Sequence, residues 1–191
     1  MNKYKLIVLF GKSGAGKDYL LQEVCKLRPN DVHAIISDTT RPPRKLLEQD
    51  GVDYNFITEE EFQEREHIEF SKFNNWYYGT PLSSLSVDKI NIAVMNLDGI
   101  RQLYDRDDLS INLFYISCDD KTRLLRQINR EPYPNISEIC RRFLTDEEDF
   151  KSIFYYPFTN LRNIAPTDSK ECIEIVNETI DKLLSDSDKI K

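Results

Sequence analysis

Seven residues near the start of the chain, Gly11-Lys12-Ser13-Gly14-Ala15-Gly16-Lys17, have the spacing of a phosphate-binding loop. Its glycines let backbone N–H groups curl around an anion, and a helix beginning just beyond adds the positive end of its dipole. Lys17 is the cation that would lie against the β- and γ-phosphates of a nucleoside triphosphate. Asp18 stands where the pattern has Ser or Thr, whose hydroxyl ligates Mg2+. A carboxylate is also a hard oxygen ligand for Mg2+, but it brings negative charge toward the phosphates. Two unit charges about 4 Å apart interact by roughly 4 kcal/mol at an effective dielectric of about 20. Mg2+, Lys17 or nearby arginines must meet that repulsion.

The elements that would hold this loop are legible on either side of it. Leu6 to Phe10 is a wholly apolar run, the form of a strand buried on both faces. From Lys17 the positions of Leu20, Leu21, Val24 and Leu27 follow a helical period until Pro29-Asn30 ends it. His33 to Ser37 reads as a second buried strand, leading into the polar, basic turn Asp38-Thr39-Thr40-Arg41-Pro42-Pro43-Arg44. Asp53 to Thr58 is expected as a strand, and Thr58 with Glu61 forms a capping-box signature for a helix over Glu59 to Glu66. Ile68 to Phe73 and Trp76 to Tyr78, split by Asn74-Asn75, suggest an antiparallel hairpin.

Strand and helix then alternate again. Buried strands are expected at Ile90 to Met95 and Ile111 to Ile116, with a helix over Gly99 to Tyr104 between them. A basic segment from Lys121 to Arg142 follows, helical on both flanks, with Glu131-Pro132-Tyr133-Pro134-Asn135 as its tip. Phe158 to Asn163 suits a last strand. Pro166-Thr167-Asp168 opens a terminal helix carrying Ile173, Val176, Ile180 and Leu183, before a polar tail from Ser185 that is expected to fray. Alternation of this kind around a phosphate loop implies an α/β fold whose parallel sheet is covered on both faces.

The net charge of -7 and pI near 5.0 argue against general nucleic-acid binding, so arginine clusters inside this acidic chain carry more meaning. Cys25, Cys118, Cys140 and Cys172 are widely separated, which suits free thiols in a reducing cytosol rather than disulfides or zinc. Met1-Asn2-Lys3 runs directly into the first strand with no signal peptide, and no apolar run is long enough to span a membrane. A cytoplasmic protein of one domain is the expectation, with the monomeric or homodimeric state left open.

The order of these motifs resembles the guanylate kinase family of P-loop nucleoside monophosphate kinases. The likeness covers nearly the whole chain and is densest from Ser37 to Thr80. Ser37-Asp38-Thr39-Thr40-Arg41-Pro42-Pro43-Arg44 is similar to that family's S-x-T-T-R-x-P-R signature, and Gly51-Val52-Asp53-Tyr54-Asn55-Phe56 to its G-x-D-Y-x-F element. Ile68-Glu69 and Tyr77-Tyr78-Gly79-Thr80 follow in the family's order. The resemblance implies a three-layer P-loop sandwich with core segments about 1–37, 90–120 and 143–191. It also implies a nucleotide-binding insert about 38–89 and a helical lid about 121–142.

It further implies transfer of the γ-phosphoryl group of ATP, with Mg2+, to GMP or dGMP. Ser37, Arg41, Arg44, Tyr54, Glu69, Tyr78 and Thr80 would surround the acceptor. Forked arginines suit its phosphate. Glu69 would choose the base, because guanine presents N1–H and its 2-amino group side by side to one carboxylate and adenine has no such pair. Arg126, Arg130 and Arg142 match lid arginines, and Asn163 matches a position that contacts adenine of the donor. In Val94-Met95-Asn96-Leu97-Asp98-Gly99 the sequence departs from the family. Asn96 replaces a base-contacting aspartate, Val94 replaces another, and Asp98 either serves from a shifted position or caps the next helix. The same fold leaves open a kinase with a broader or different acceptor, including a phosphorylated sugar, and an inactive peptide-binding module.

Overall fold

The computed structural model describes residues 4–43, 48–73, 75–103, 105–130, 132–151, 153, 160–164 and 169–188. In chain order the first elements are β1 (Tyr4–Phe10), α1 (Lys17–Leu27), β2 (Val32–Ala34), β3 (Asp38–Thr39), β4 (Asn55–Phe56), α2 (Glu59–Glu64), β5 (His67–Phe73) and β6 (Trp76–Pro81). They are followed by β7 (Ile90–Val94), α3 (Leu97–Gln102), β8 (Leu109–Ile116), α4 (Asp120–Ile128), α5 (Ile136–Asp149), β9 (Leu161–Ile164) and α6 (Ser169–Asp188).

β1 explains why the sheet needs cover on both sides. Leu6, Val8 and Phe10 belong to one core and Ile7 and Leu9 to the other, and all five are fully buried. The second core receives Leu20 and Val24 of α1 with Cys172, Val176 and Ile180 of α6. The first receives Ile100 of α3 and Ile153. Five parallel strands lie in the order β2-β7-β1-β8-β9, so β1 is central. The chain leaves β1 toward one edge and later returns to fill the other. That reversal opens a crevice beyond the carboxyl end of β1, where α/β sheets bind ligands.

A second sheet, β4-β3-β6-β5, stands between β2 and β7 in the chain. Its hairpin pairs β5 and β6 antiparallel, turning through Asn75 at φ 67°. Asp38 of β3 is fully buried there, accepting from Arg65 at 3.1 Å and Asn55 Nδ2 at 2.8 Å, with His67 Nε2 at 3.2 Å. The capping box of α2 forms as its sequence indicates, Thr58 accepting from Glu61 N–H and Glu61 accepting from Thr58 N–H.

Several expected bounds move. β2 stops at Ala34 because its pairing with β7 ends there, so Ile35 to Ser37 leave the strand. β4 keeps only Asn55 and Phe56 of the expected six-residue strand. α3 begins at Leu97 and ends at Gln102, earlier than expected at both ends, because Asn96 caps it. α6 continues through Asp188, past Ser185. α5 runs unbroken across position 142, where a boundary is expected from sequence. Leu27 lies 58% exposed at the end of α1, off the buried stripe. Phe158, Pro166, Thr167 and Asp168, together with Asn74 and Tyr104, fall outside the described residues. No helix among the described residues is long and apolar enough to cross a membrane.

Candidate active site

β1 ends at Phe10 and the chain turns through three glycines with positive φ, Gly11 at 149°, Gly14 at 79° and Gly16 at 103°. α1 then starts on Gly16 with no side-chain cap, whereas α2, α3, α4 and α5 are capped by Thr58, Asn96, Asp119 and Asn135. The uncapped first-turn N–H groups and the positive helix end therefore face the crevice, ready for an anion. Gly14 has no room for a side chain: a Cβ there would stand 2.6 Å from the backbone oxygen of Arg123. Gly14→Ala is expected to cost roughly 2 kcal/mol or more of stability, because positive φ and a backbone clash combine. Urea unfolding curves of the two proteins check this.

Lys17 folds back onto the loop, donating to the Gly11 carbonyl at 2.8 Å and the Lys12 carbonyl at 3.1 Å. Burial pushes its ammonium pKa below the ordinary lysine value, and the Asp18 and Asp146 carboxylates pull the other way. A poorly solvated cation that donates to two backbone carbonyls is well prepared for phosphate oxygens. Asp18 is exposed in the first turn of α1 beside it.

Residues of α4 and α5 converge on this loop. A cavity of about 530 Å3 is walled by the loop residues Ser13, Gly14, Gly16, Lys17 and Asp18, by Arg126 and Arg130, and by Glu138 and Arg142 of α5. Arg126 Nη1 donates to the Gly14 and Ala15 carbonyls at 3.3 and 3.2 Å. Arg141 and Arg142 both bond Glu138, at 2.7 Å each, and hold its carboxyl down to about 2. At neutral pH the lid thus carries a charged, mutually oriented set of groups.

A second cluster surrounds the sheet β4-β3-β6-β5. The Arg41 guanidinium makes a two-pronged pair with Glu48, at 2.9 and 2.8 Å, and lies 5.7 Å from the ring centres of Tyr54 and Phe56. Tyr54 meets Tyr78 edge-on at 6.1 Å. Burial pushes the Tyr54 hydroxyl up, Tyr78 adds to this, and Arg41 opposes it. The Asp18 charge also raises it slightly. Glu48 holds the arginine fork in the geometry that a phosphate would take.

Tyr78 and Thr80 are two residues apart on β6 and so share a face. Thr80 Oγ1 donates to Glu69 Oε1 at 2.6 Å across the hairpin. Glu69 is only 8% exposed, and burial pushes its carboxyl above the ordinary value against the opposing Thr80 bonds. Its other oxygen leans on α3, where a Cβ at Gly99 would come within 2.5 Å of Glu69 Oε2 and 3.3 Å of Asn96 Oδ1. Only glycine lets the carboxylate reach this place. Asn96 Oδ1 accepts from Gly99 N–H at 2.7 Å and its Nδ2 donates to Ser71 Oγ at 3.3 Å. Asn96, not Asp98, is the cap, and Asp98 pairs with Arg101 at 2.8 Å.

Many of the residues expected from sequence therefore fall in two groups, one around the phosphate loop and one around the β5–β6 hairpin. Ser37 lies beside the insert, its carbonyl accepting from Asn55 N–H at 2.9 Å. Asn163 is exposed on β9, paired in register with Tyr115, and is not among the cavity-lining residues. Arg44 lies outside the described residues. Sequence reasoning missed Glu48, Asp146, Glu147 and Arg123. Arg123 is fully buried, with ion pairs to Asp120, Asp146 and Glu147 at 2.8, 3.4 and 2.7 Å. The only signal for it was a third arginine three residues before Arg126 in a basic run.

Comparison with known proteins agrees with this arrangement. A family model described as guanylate kinase matches residues 3–183. One guanylate kinase of Prochlorococcus marinus is 29% identical over 184 residues, covering 92% of this chain and 98% of its own. The guanylate kinase of Schizosaccharomyces pombe is 38% identical over 109 residues, covering 53% of this chain and 54% of its own. The crystal structure of guanylate kinase from Anaplasma phagocytophilum shares the fold, with a TM-score of 0.61 at 21% identity over 94% of this chain and 86% of that one. By sequence match over nearly its whole length, by sheet order and by the placement of its phosphate loop, the chain belongs to the guanylate kinase family.

Proposed function

We propose that this chain transfers the γ-phosphoryl group of ATP to GMP or dGMP, giving the nucleoside diphosphate and ADP. The observation that carries the reading is a pair of unlike clusters in one chain. One is an uncapped glycine loop with Lys17. The other is a buried Glu69–Thr80 pair on the same hairpin as Tyr78 of an Arg41–Tyr54–Tyr78 cluster. The loop N–H groups and Lys17 hold the donor phosphates. Arg41, Arg44 and the two tyrosine hydroxyls hold the acceptor phosphate, while Glu69 accepts from guanine N1–H and the 2-amino group. Ser37, Thr80 and Asn96 complete the wall around the base.

An acceptor phosphate oxygen attacks the γ-phosphorus in line, and the bond from that phosphorus to the β,γ-bridging oxygen breaks. The bond's electrons leave with ADP. Positioning and positive charge supply most of the acceleration in such a transfer. Arg126, Arg130 and Arg142 neutralise the charge that builds on the migrating group, and lid closure excludes water.

The residues present fit Mg2+. Among the described residues no group of three His, Cys, Asp or Glu side chains could hold a metal. Asp18 nevertheless presents one exposed carboxylate beside Lys17, and Mg2+ is commonly bound through one or two carboxylates plus substrate phosphates. Asp18 is the residue that would hold it, and the ion would neutralise phosphate charge. Free thiols at Cys25, Cys118, Cys140 and Cys172 suit a reducing cytoplasm. The partners on this reading are small nucleotides.

A coupled ADP-release assay with ATP and Mg2+ against GMP, dGMP, AMP, dTMP, UMP and CMP tests the proposal. Turnover confined to the two guanine nucleotides is expected. Comparable turnover on AMP or the pyrimidines would remove the base-reading role of Glu69, and silence on all six would remove the reading.

A further inference from the structure

The phosphate loop is already in contact with an anion of the chain's own. Ser13 N–H donates to Asp146 Oδ2 at 2.7 Å. Asp146 reaches the loop from the last turn of α5, as the first residue of the acidic run Asp146-Glu147-Glu148-Asp149. Its carboxylate is largely buried and is backed by Arg123 Nη1 at 3.4 Å. Glu147 joins the same assembly, pairing with Arg123 at 2.7 Å and with Lys12 at 2.6 Å. Arg123 is itself fixed, its guanidinium 4.6 Å from the Phe143 ring centre and its Nη1 3.5 Å from the Ser13 carbonyl. The carboxylate also lies within electrostatic reach of Lys17. It therefore sits toward the end of the loop where a lysine at this position meets the β- and γ-phosphates.

One N–H cannot serve two anions, and two negative groups cannot share the field of one lysine without strong repulsion. We infer that Asp146 is a positioning residue that stands in for the γ-phosphoryl group: it holds Ser13 N–H in the free enzyme and yields it when the triphosphate enters. Donor binding is then an exchange of one anion for another, and Asp146 sets how strongly ATP is preferred over ADP. A diphosphate has no γ-group and enters with Asp146 in place. Arg123 gives the displaced carboxylate somewhere to go, because its Nε–H is buried and has no partner among the described residues.

This inference rests on the reading of the loop as the ATP site, and the experiment separates the two. ATP and ADP are titrated calorimetrically, without acceptor, into the full-length protein and its Asp146→Asn variant. Removal of the competing charge is expected to lower the Kd for ATP by about fivefold or more and to change that for ADP by less than about twofold. An unchanged or weaker ATP affinity in the variant, or equal tightening for ADP, overturns the inference. Failure of the unsubstituted protein to bind ATP overturns the donor-site reading and this one with it. A second measurement needs no variant: the Ser13 amide proton, followed by NMR, is expected to shift on adding ATP in a way that ADP does not reproduce. A Ser13 resonance that ignores ATP, or answers both nucleotides alike, contradicts the exchange.

Discussion

Lys17→Met is expected to lower phosphoryl transfer by about a thousandfold or more while leaving the fold intact. On the proposed reading the ammonium donates to the β- and γ-phosphates, and a preorganised donor of this kind acts most strongly where water is excluded. Its bonds are to two loop carbonyls, at 2.8 and 3.1 Å, and among the described residues it makes no ion pair within 4.0 Å. Burial already works against the charge, so its loss removes a desolvation cost along with two hydrogen bonds. The thermal midpoint should therefore move little. Steady-state rates and melting curves measured on the same preparation check both halves of the statement.

The second large effect is expected at Glu69. Glu69→Gln keeps the size of the side chain and an oxygen for the Thr80 hydroxyl, now 2.6 Å from Glu69 Oε1. It places an amide donor against two guanine donors and should lower kcat/KM for GMP by about a hundredfold or more. The same change should stabilise the free protein. Burial raises the folded pKa of Glu69 above the ordinary 4.5, so the ionised carboxylate is disfavoured by folding. That penalty is absent below the unfolded value and grows as pH rises through the folded value. The variant should therefore melt higher than the parent at neutral pH, and the difference should vanish in acid. Activity on GMP in the parent should fall as pH drops through the raised pKa, because a protonated Glu69 loses one acceptor. A variant that melts lower at neutral pH would mean that Glu69 is held for stability and not for the base.

Much of this site could be read from local sequence because local chemistry fixes it. The apolar run to Phe10, the three glycines and the helical period after Lys17 each answer to nearest neighbours, and they appear where the spacing put them. The Thr58–Glu61 capping box and the β5–β6 hairpin are legible for the same reason. What escaped depends on contacts between distant parts of the chain. Nothing in Thr122-Arg123-Leu124 says that the arginine is fully buried, because its carboxylates come from Asp120 and from residues more than twenty positions away. Glu48 was invisible as the partner of Arg41, since it falls in an ordinary polar stretch after two prolines.

The shift of α3 has a different origin. Periodicity alone could not choose between Asn96 and Asp98 as a cap, because both are good capping types. Tertiary geometry decided it: α3 must start where Gly99 can pass close to Glu69 Oε2. β2 is shorter than its sequence suggests because Ile35 is buried like a strand residue and still donates its N–H to Ile92 of β7 at 2.9 Å, although the strand register ends at Ala34.

The central claim is that a phosphoryl group passes directly from ATP to a guanine nucleotide in this cleft. Incubation of the protein with γ-labelled ATP, Mg2+ and GMP, followed by separation of the products, tests it most directly. The account predicts label in the β-phosphoryl position of GDP, in step with ADP formed, with none retained on the protein. Label released as inorganic phosphate, or left in ATP while GMP is bound, would contradict it.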